Sequence, residues 1–174
     1  MDLTNTITPK SDQLNADDLI SGPRVIRITE VKAGNAEQPV CISFDGDNGR
    51  PYKPGKSMRR VLMALWGKDS KAYIDKRIKI YTDPSVKFGG VNVGGIRISH
   101  ASGITEPLEM AMTETRGKRK PYTVQPLPDF APALESLKTA AEAGTEALKT
   151  AWLALPKDMQ DILRSDVSAL KPKA

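Results

Sequence analysis

The chain is poor in the residues that carry most reaction chemistry. Its 174 residues include one cysteine, Cys41, and one histidine, His100. A single cysteine excludes an internal disulfide and any cysteine-clustered zinc site. Cys41 lies in the apolar run P-V-C-I-S-F and is expected to be a small buried hydrophobe. Hydrolysis or group transfer needs a base near neutral pK, a partnered nucleophile or a metal cage. His100 ends I-R-I-S-H, where alternation puts it on the face of Ile96 and Ile98, as a hydrogen-bonded histidine at the end of a barrel. No H-E-x-x-H, G-x-S-x-G or G-x-x-x-x-G-K-[ST] occurs, and F-G-G-V-N-V-G-G does not fit G-x-G-x-x-G. The acidic clusters D-G-D at 45–47 and A-D-D at 16–18 read as a turn and a solvated tail, not as cation ligands. The expectation is a non-enzyme with no catalytic residue, no metal and no cofactor.

Long apolar runs are also missing. Nothing approaches the roughly 18 uninterrupted apolar residues of a membrane span, so no membrane partner is expected. The opening M-D-L-T-N-T-I-T-P-K-S-D-Q has neither a basic start nor an apolar stretch, so a cytoplasmic protein without a secretory leader is expected. Hydrophobic residues make up 39% and charged residues 27%, enough for one well-cored domain and something smaller.

What the chain does have is positive charge in one place. Residues 1–22 carry one cation and four anions; residues 23–127 carry 19 cations and 10 anions, net +9; residues 128–174 carry 6 and 7. A basic middle flanked by slightly acidic ends points to a polyanionic partner, most often nucleic acid.

Residues 1–22 read as a polar lead-in, with Leu14, Leu19 and Ile20 as its packing positions. Past Gly22-Pro23, V-I-R-I-T-E-V and Val40 to Phe44 alternate as strands, the second ending in the turn cluster D-G-D-N-G. In P-G-K-S-M-R-R-V-L-M-A-L-W-G, Ser57 is the expected N-cap and Gly67 the stop of one helix. Met58, Val61, Leu62 and Leu65 form its buried face. R-I-K-I-Y at 77–81 alternates again, Ile78 and Ile80 on one face, Arg77, Lys79 and Tyr81 on the other. Gly89-Gly90 is expected to close a hairpin, and Gly94-Gly95 to mark a sharp bend. L-E-M-A-M-T and Y-T-V make a further hairpin with R-G-K-R-K-P as its loop. The fold class is therefore α+β, mainly β: an OB-like curled barrel over 23–127 with one principal helix, then a C-terminal helical segment over 128–174. Gly144 and Pro156 divide that segment into three helices, and Leu148, Trp152, Leu155, Met159, Ile162 and Leu163 form stripes suited to a partner or a second copy.

Single-stranded nucleic acid is bound by cations for the phosphates and flat side chains for the bases. The core interleaves the two. Arg50, Tyr52, Lys53 and Lys56 form one group, and Arg77, Lys79 and Tyr81 a second. Lys87, Phe88 and Arg97 form a third, and Arg116, Lys118, Arg119, Lys120 and Tyr122 a fourth.

Three stretches, M-D-L-T-N-T-I-T-P-K-S-D-Q-L-N-A-D-D-L-I-S-G-P, D-P-S-V-K-F-G-G-V-N-V-G-G-I-R-I-S-H and T-R-G-K-R-K-P-Y-T-V, resemble a family of small proteins of tailed bacteriophages and prophages. The resemblance covers about residues 1–127. The tail A-G-T-E-A-L-K-T-A-W-L-A-L-P-K-D-M-Q-D-I-L is similar to helical tails of phage recombination and replication proteins. The resemblance implies a phage origin, a bacterial host cytoplasm and a place near DNA metabolism. The ending A-L-K-P-K-A lacks the acidic tip of bacterial single-strand binding proteins, so recruitment through such a tip is not expected. The expected function is binding of single-stranded DNA in phage replication or recombination, with the C-terminal helices serving oligomerisation or a phage or host protein partner. The alternative is a host-interaction protein that inhibits a bacterial defence or nucleic-acid-handling system by occlusion.

Overall fold

A computed structural model describes residues 11–170. The chain forms two compact units, Met1–Leu127 and Pro128–Ala174. Among the described residues the first holds eight strands and one α-helix: β1 (Arg24–Ala33), β2 (Val40–Phe44), α1 (Lys56–Trp66), β3 (Arg77–Asp83), β4 (Lys87–Phe88), β5 (Val91–Asn92), β6 (Gly95–Ala101), β7 (Leu108–Thr115) and β8 (Lys118–Pro126). Six of them form one sheet in the order β2-β1-β3-β6-β8-β7, while β4 and β5 form a separate ribbon. Every pairing is antiparallel except β6 with β8.

Alternation explains the core. Ile26 and Ile28 of β1, Ile78 and Ile80 of β3, Ile98 of β6 and Val124 of β8 are almost completely buried. Onto them α1 lays Met58, Val61 and Leu62, with Leu65 packed at the margin. Its N-cap is Gly55 and not Ser57, and Gly67 stops it at φ +86°. Irregularities in register bend the sheet at Ile28/Glu30, Lys79/Ile80 and Thr113/Thr115. The expected closure into a barrel is not made. Among the described residues β2 and β7 are the outermost strands of an open sheet, with β2 bridged on its outer side from Ile42 to Tyr52.

The irregularity in β6 also moves His100. Ile80 lies opposite Ile98, but Lys79 lies opposite His100, so Ser99 is the extra residue. The strand therefore buries Ile98 and Ala101 and turns His100 to the half-exposed face of Lys79, away from Ile98. Cys41, expected in the core, is likewise half-exposed on the edge strand β2.

Residues 11–22 of the lead-in are part of the fold, and the rest of it lies outside the described residues. Leu14 and Leu19 are buried, whereas Ile20, expected to pack, is 84% exposed. Leu14 N–H donates to Pro51 C=O at 3.0 Å, and the Thr82 hydroxyl donates to Ala16 C=O at 2.6 Å.

The second unit contains α2 (Ala131–Ala143), α3 (Thr145–Ala154) and α4 (Lys157–Ala169). The Asp129 carboxylate accepts from Ala131 N–H at 2.9 Å at the start of α2, and Gly144, at φ +123°, breaks α2 from α3. Gln160 of α4 donates its amide to the C=O groups of Trp152 and Leu155 at 3.1 and 2.9 Å, tying the end of α3 down. Leu148 and Leu163, expected to face a partner, are buried, so these two belong to the interior. Trp152, Leu155, Met159 and Ile162 are half-buried, and Leu153, outside both stripes, is 66% exposed. Among the described residues no helix is long and apolar enough to cross a membrane.

The packing of α1 carries a measurable load. Leu62→Ala removes a side chain that is 1% exposed, and urea unfolding is expected to report a loss of about 2–5 kcal/mol.

Candidate nucleic-acid interface

The site begins where two strands part. β6 and β8 pair only at His100–Gln125 and Ala101–Pro126. Beyond these the ladder stops, and two side chains satisfy the peptide groups of Ile98 in its place. Ile98 N–H donates to the Met58 sulfur at 3.3 Å, and Ile98 C=O accepts from the Tyr122 hydroxyl. The parted strands leave a groove of about 790 Å³. One wall comes from β3, β6 and the β4–β5 ribbon through Tyr81, Asp83, Lys87 and Arg97. The other is the β7–β8 hairpin, through Met112, Lys118, Lys120 and Tyr122, with Ser57 of α1 also in the lining.

Register decides which cations face the groove. Met112 lies opposite Lys120 and Met110 opposite Tyr122, so these share a face, while Arg119, opposite Thr113, alternates to the other and stays out of the lining that Thr113 still reaches. The stretch R-G-K-R-K-P is accordingly not a loop. Only Arg116 and Gly117 form the turn, with Gly117 at φ +80°, and the strand resumes at Lys118. Gly89 and Gly90, at φ +59° and +83°, turn the β4–β5 ribbon as their pairing predicts.

Within the groove Tyr81 lies opposite Arg97, whose guanidinium sits 5.9 Å from the centroid of the Tyr122 ring. Arg97 Nε is 3.4 Å from an Asp83 carboxylate oxygen. Burial raises the Asp83 carboxyl, but the Ser85 hydroxyl and amide and the Arg97 guanidinium outweigh it and leave it below the usual carboxylate range. Burial, followed by the neighbouring Tyr81, pushes the Tyr122 phenol upward, and burial with Asp83 does the same to Tyr81. Both tyrosines are therefore neutral rings at physiological pH. Lys118 reaches Glu114 at 3.4 Å on the exposed hairpin. Lys87 and Lys120 have no carboxylate partner among the described residues.

Six residues expected to contact nucleic acid meet here: Tyr81, Lys87, Arg97, Lys118, Lys120 and Tyr122. The others are placed elsewhere. Tyr52 is 2% exposed because its N–H and C=O pair with Ile42, which turns its ring into the core; it offers no surface to a base. Burial pushes its phenol upward. Arg77 is 6% exposed at the start of β3, where its N–H donates to the Ser102 hydroxyl at 2.8 Å. Arg50 is spent on the lead-in, donating to both carboxylate oxygens of Asp18 at 3.0 and 2.7 Å and to Ser11 C=O at 3.2 Å. Asp18 is thus an ion-pair partner and not part of a solvated tail. Lys53 is likewise held by Asp12 at 2.7 Å. Lys79 is half-buried opposite His100, and Lys56, Arg116 and Arg119 are exposed outside the lining. The Phe88 side chain lies outside the described residues.

Sequence reading missed Asp83, Ser57 and Met112. The signal for Asp83 was D-P-S, in which an aspartate caps its own turn: its carboxylate accepts from the Ser85 amide at 2.9 Å and the Ser85 hydroxyl at 2.6 Å. Among the described residues no group of His, Cys, Asp and Glu could hold a metal ion. Comparison with family models, with curated proteins and with solved structures gives no match.

Two outcomes follow from this geometry. Tyr122→Phe keeps the ring under Arg97 but strips the donor from Ile98 C=O, and chemical denaturation is expected to show a loss of about 1–3 kcal/mol. Burial, then Lys79, holds His100 below its ordinary value of 6.5, so the folded chain binds fewer protons there than the unfolded chain. The His100 contribution is complete above that value and is lost as pH falls through the folded pKa. Stability compared with His100→Gln across acid pH is expected to show this difference.

Proposed function

We propose that the Met1–Leu127 unit binds single-stranded nucleic acid without catalysing a reaction. The observation that carries this reading is the groove itself, in which Lys87, Arg97, Lys118 and Lys120 surround the rings of Tyr81 and Tyr122. Cations attract the phosphates of a flexible strand, and neutral rings with a stacked guanidinium give its unpaired bases a surface. A duplex presents no free base faces, so the tyrosines favour a single strand. We read the open, bent sheet as an OB-like platform and its ligand as single-stranded DNA in phage replication or recombination, in the cytoplasm of a bacterial host. In this reading the C-terminal helices serve a protein partner or a second copy through Trp152, Leu155, Met159 and Ile162.

The test separates the groove from general positive charge. Binding of labelled single-stranded oligonucleotides is expected to weaken steeply with salt, and Lys118→Ala with Lys120→Ala is expected to lower the slope of log K against log salt by about 1.4. Arg119→Ala, on the opposite face of the same strand, is expected to change binding little. No binding at low salt, or equal losses from Arg119 and Lys120, overturns the reading.

A further inference from the structure

The wall of the groove that gathers four cations also holds a carboxylate, Asp83. Attraction to a polyanion gains nothing from it, because a carboxylate repels phosphate. Its setting also differs from that of Glu114, the other carboxylate of the lining, which is an exposed partner of Lys118 on the hairpin. The Asp83 side chain is only 23% exposed. One oxygen accepts from the Ser85 amide at 2.9 Å and the Ser85 hydroxyl at 2.6 Å, which fills its capacity. Among the described residues the other has one long contact, 3.4 Å from Arg97 Nε, and can accept a further hydrogen bond. The two Ser85 bonds fix the rotamer, so this second oxygen is an acceptor held in place before any ligand arrives. Beside it stand the surfaces on which a base can rest, Tyr81 on the same strand and the Arg97 guanidinium stacked on Tyr122.

Bases differ in what they offer such an acceptor. Cytosine carries an amino donor at the position where thymine carries a carbonyl oxygen, and a carboxylate accepts from the first and repels the second. We propose that Asp83 accepts a hydrogen bond from the exocyclic amine of a bound base, so that the groove favours cytosine over thymine. The proposal rests on the reading of the groove as a site for single-stranded nucleic acid. It gives Asp83 a part in specificity, while the lysines supply affinity that is blind to sequence.

Labelled oligo-dC and oligo-dT of equal length, titrated against the full chain at neutral to mildly alkaline pH, test it. Oligo-dC is expected to bind about tenfold more tightly. Asp83→Asn keeps an oxygen for the Ser85 donors but adds an amide donor that thymine accepts, and is expected to bring the ratio to about one without shifting the thermal unfolding curve. Equal binding of the two oligomers by the native protein overturns the proposal, and so does an unchanged ratio in a folded Asp83→Asn variant. Failure of the native protein to bind either oligomer overturns the underlying reading along with it.

Discussion

The groove depends on how one residue's peptide groups are satisfied. A strand that loses its neighbour leaves N–H and C=O groups unpaired, and a buried unpaired group costs about 1–3 kcal/mol. At Ile98 that cost is avoided because Met58 of α1 and Tyr122 of β8 provide a sulfur acceptor and a hydroxyl donor where a strand would otherwise lie. Each of these side chains has a second role. Met58 belongs to the buried face of α1, and Tyr122 places its ring beneath Arg97. Core packing, strand separation and the groove lining are thereby joined in one small cluster, and a change at any member reaches the others.

Charge is used in two ways along this chain. Part of the positive excess of residues 23–127 is internal: Arg50 and Lys53 are neutralised by Asp18 and Asp12, and Arg27 pairs with Asp45 at 2.6 Å and Asp75 at 2.9 Å. These pairs position segments and leave little field outside. Four further cations, Lys87, Arg97, Lys118 and Lys120, line the groove, where among the described residues Lys118 and Arg97 have carboxylate partners, each at a loose 3.4 Å. Net charge therefore overstates the attraction the surface exerts, and the location of unpaired lysines describes it better.

Much of the architecture was legible because it depends on local rules. Alternation found Ile78 and Ile80, the period of α1 found Met58, Val61 and Leu62, and paired glycines marked the ribbon turn. What was illegible depended on pairing. Tyr52 reads as an exposed ring among cations until its bridge to Ile42 turns it inward, and an irregular register sends His100 to the face opposite that of Ile98. Lys118, Arg119 and Lys120 look equivalent in sequence and are separated only by strand alternation. Six of the expected contact residues converge in the groove because they lie on β3, the ribbon, β6 and β8, whose relative positions no local pattern encodes.

The hydrogen bond from Thr82 to Ala16 has a mechanical consequence. Thr82 lies between Tyr81 and Asp83, so the segment ahead of β1 is fastened to a strand of the groove wall as well as to Arg50, Pro51 and Lys53. A displacement of Ala16 is therefore passed to that strand through one short hydrogen bond, while Asp12 and Asp18 carry it to Lys53 and Arg50.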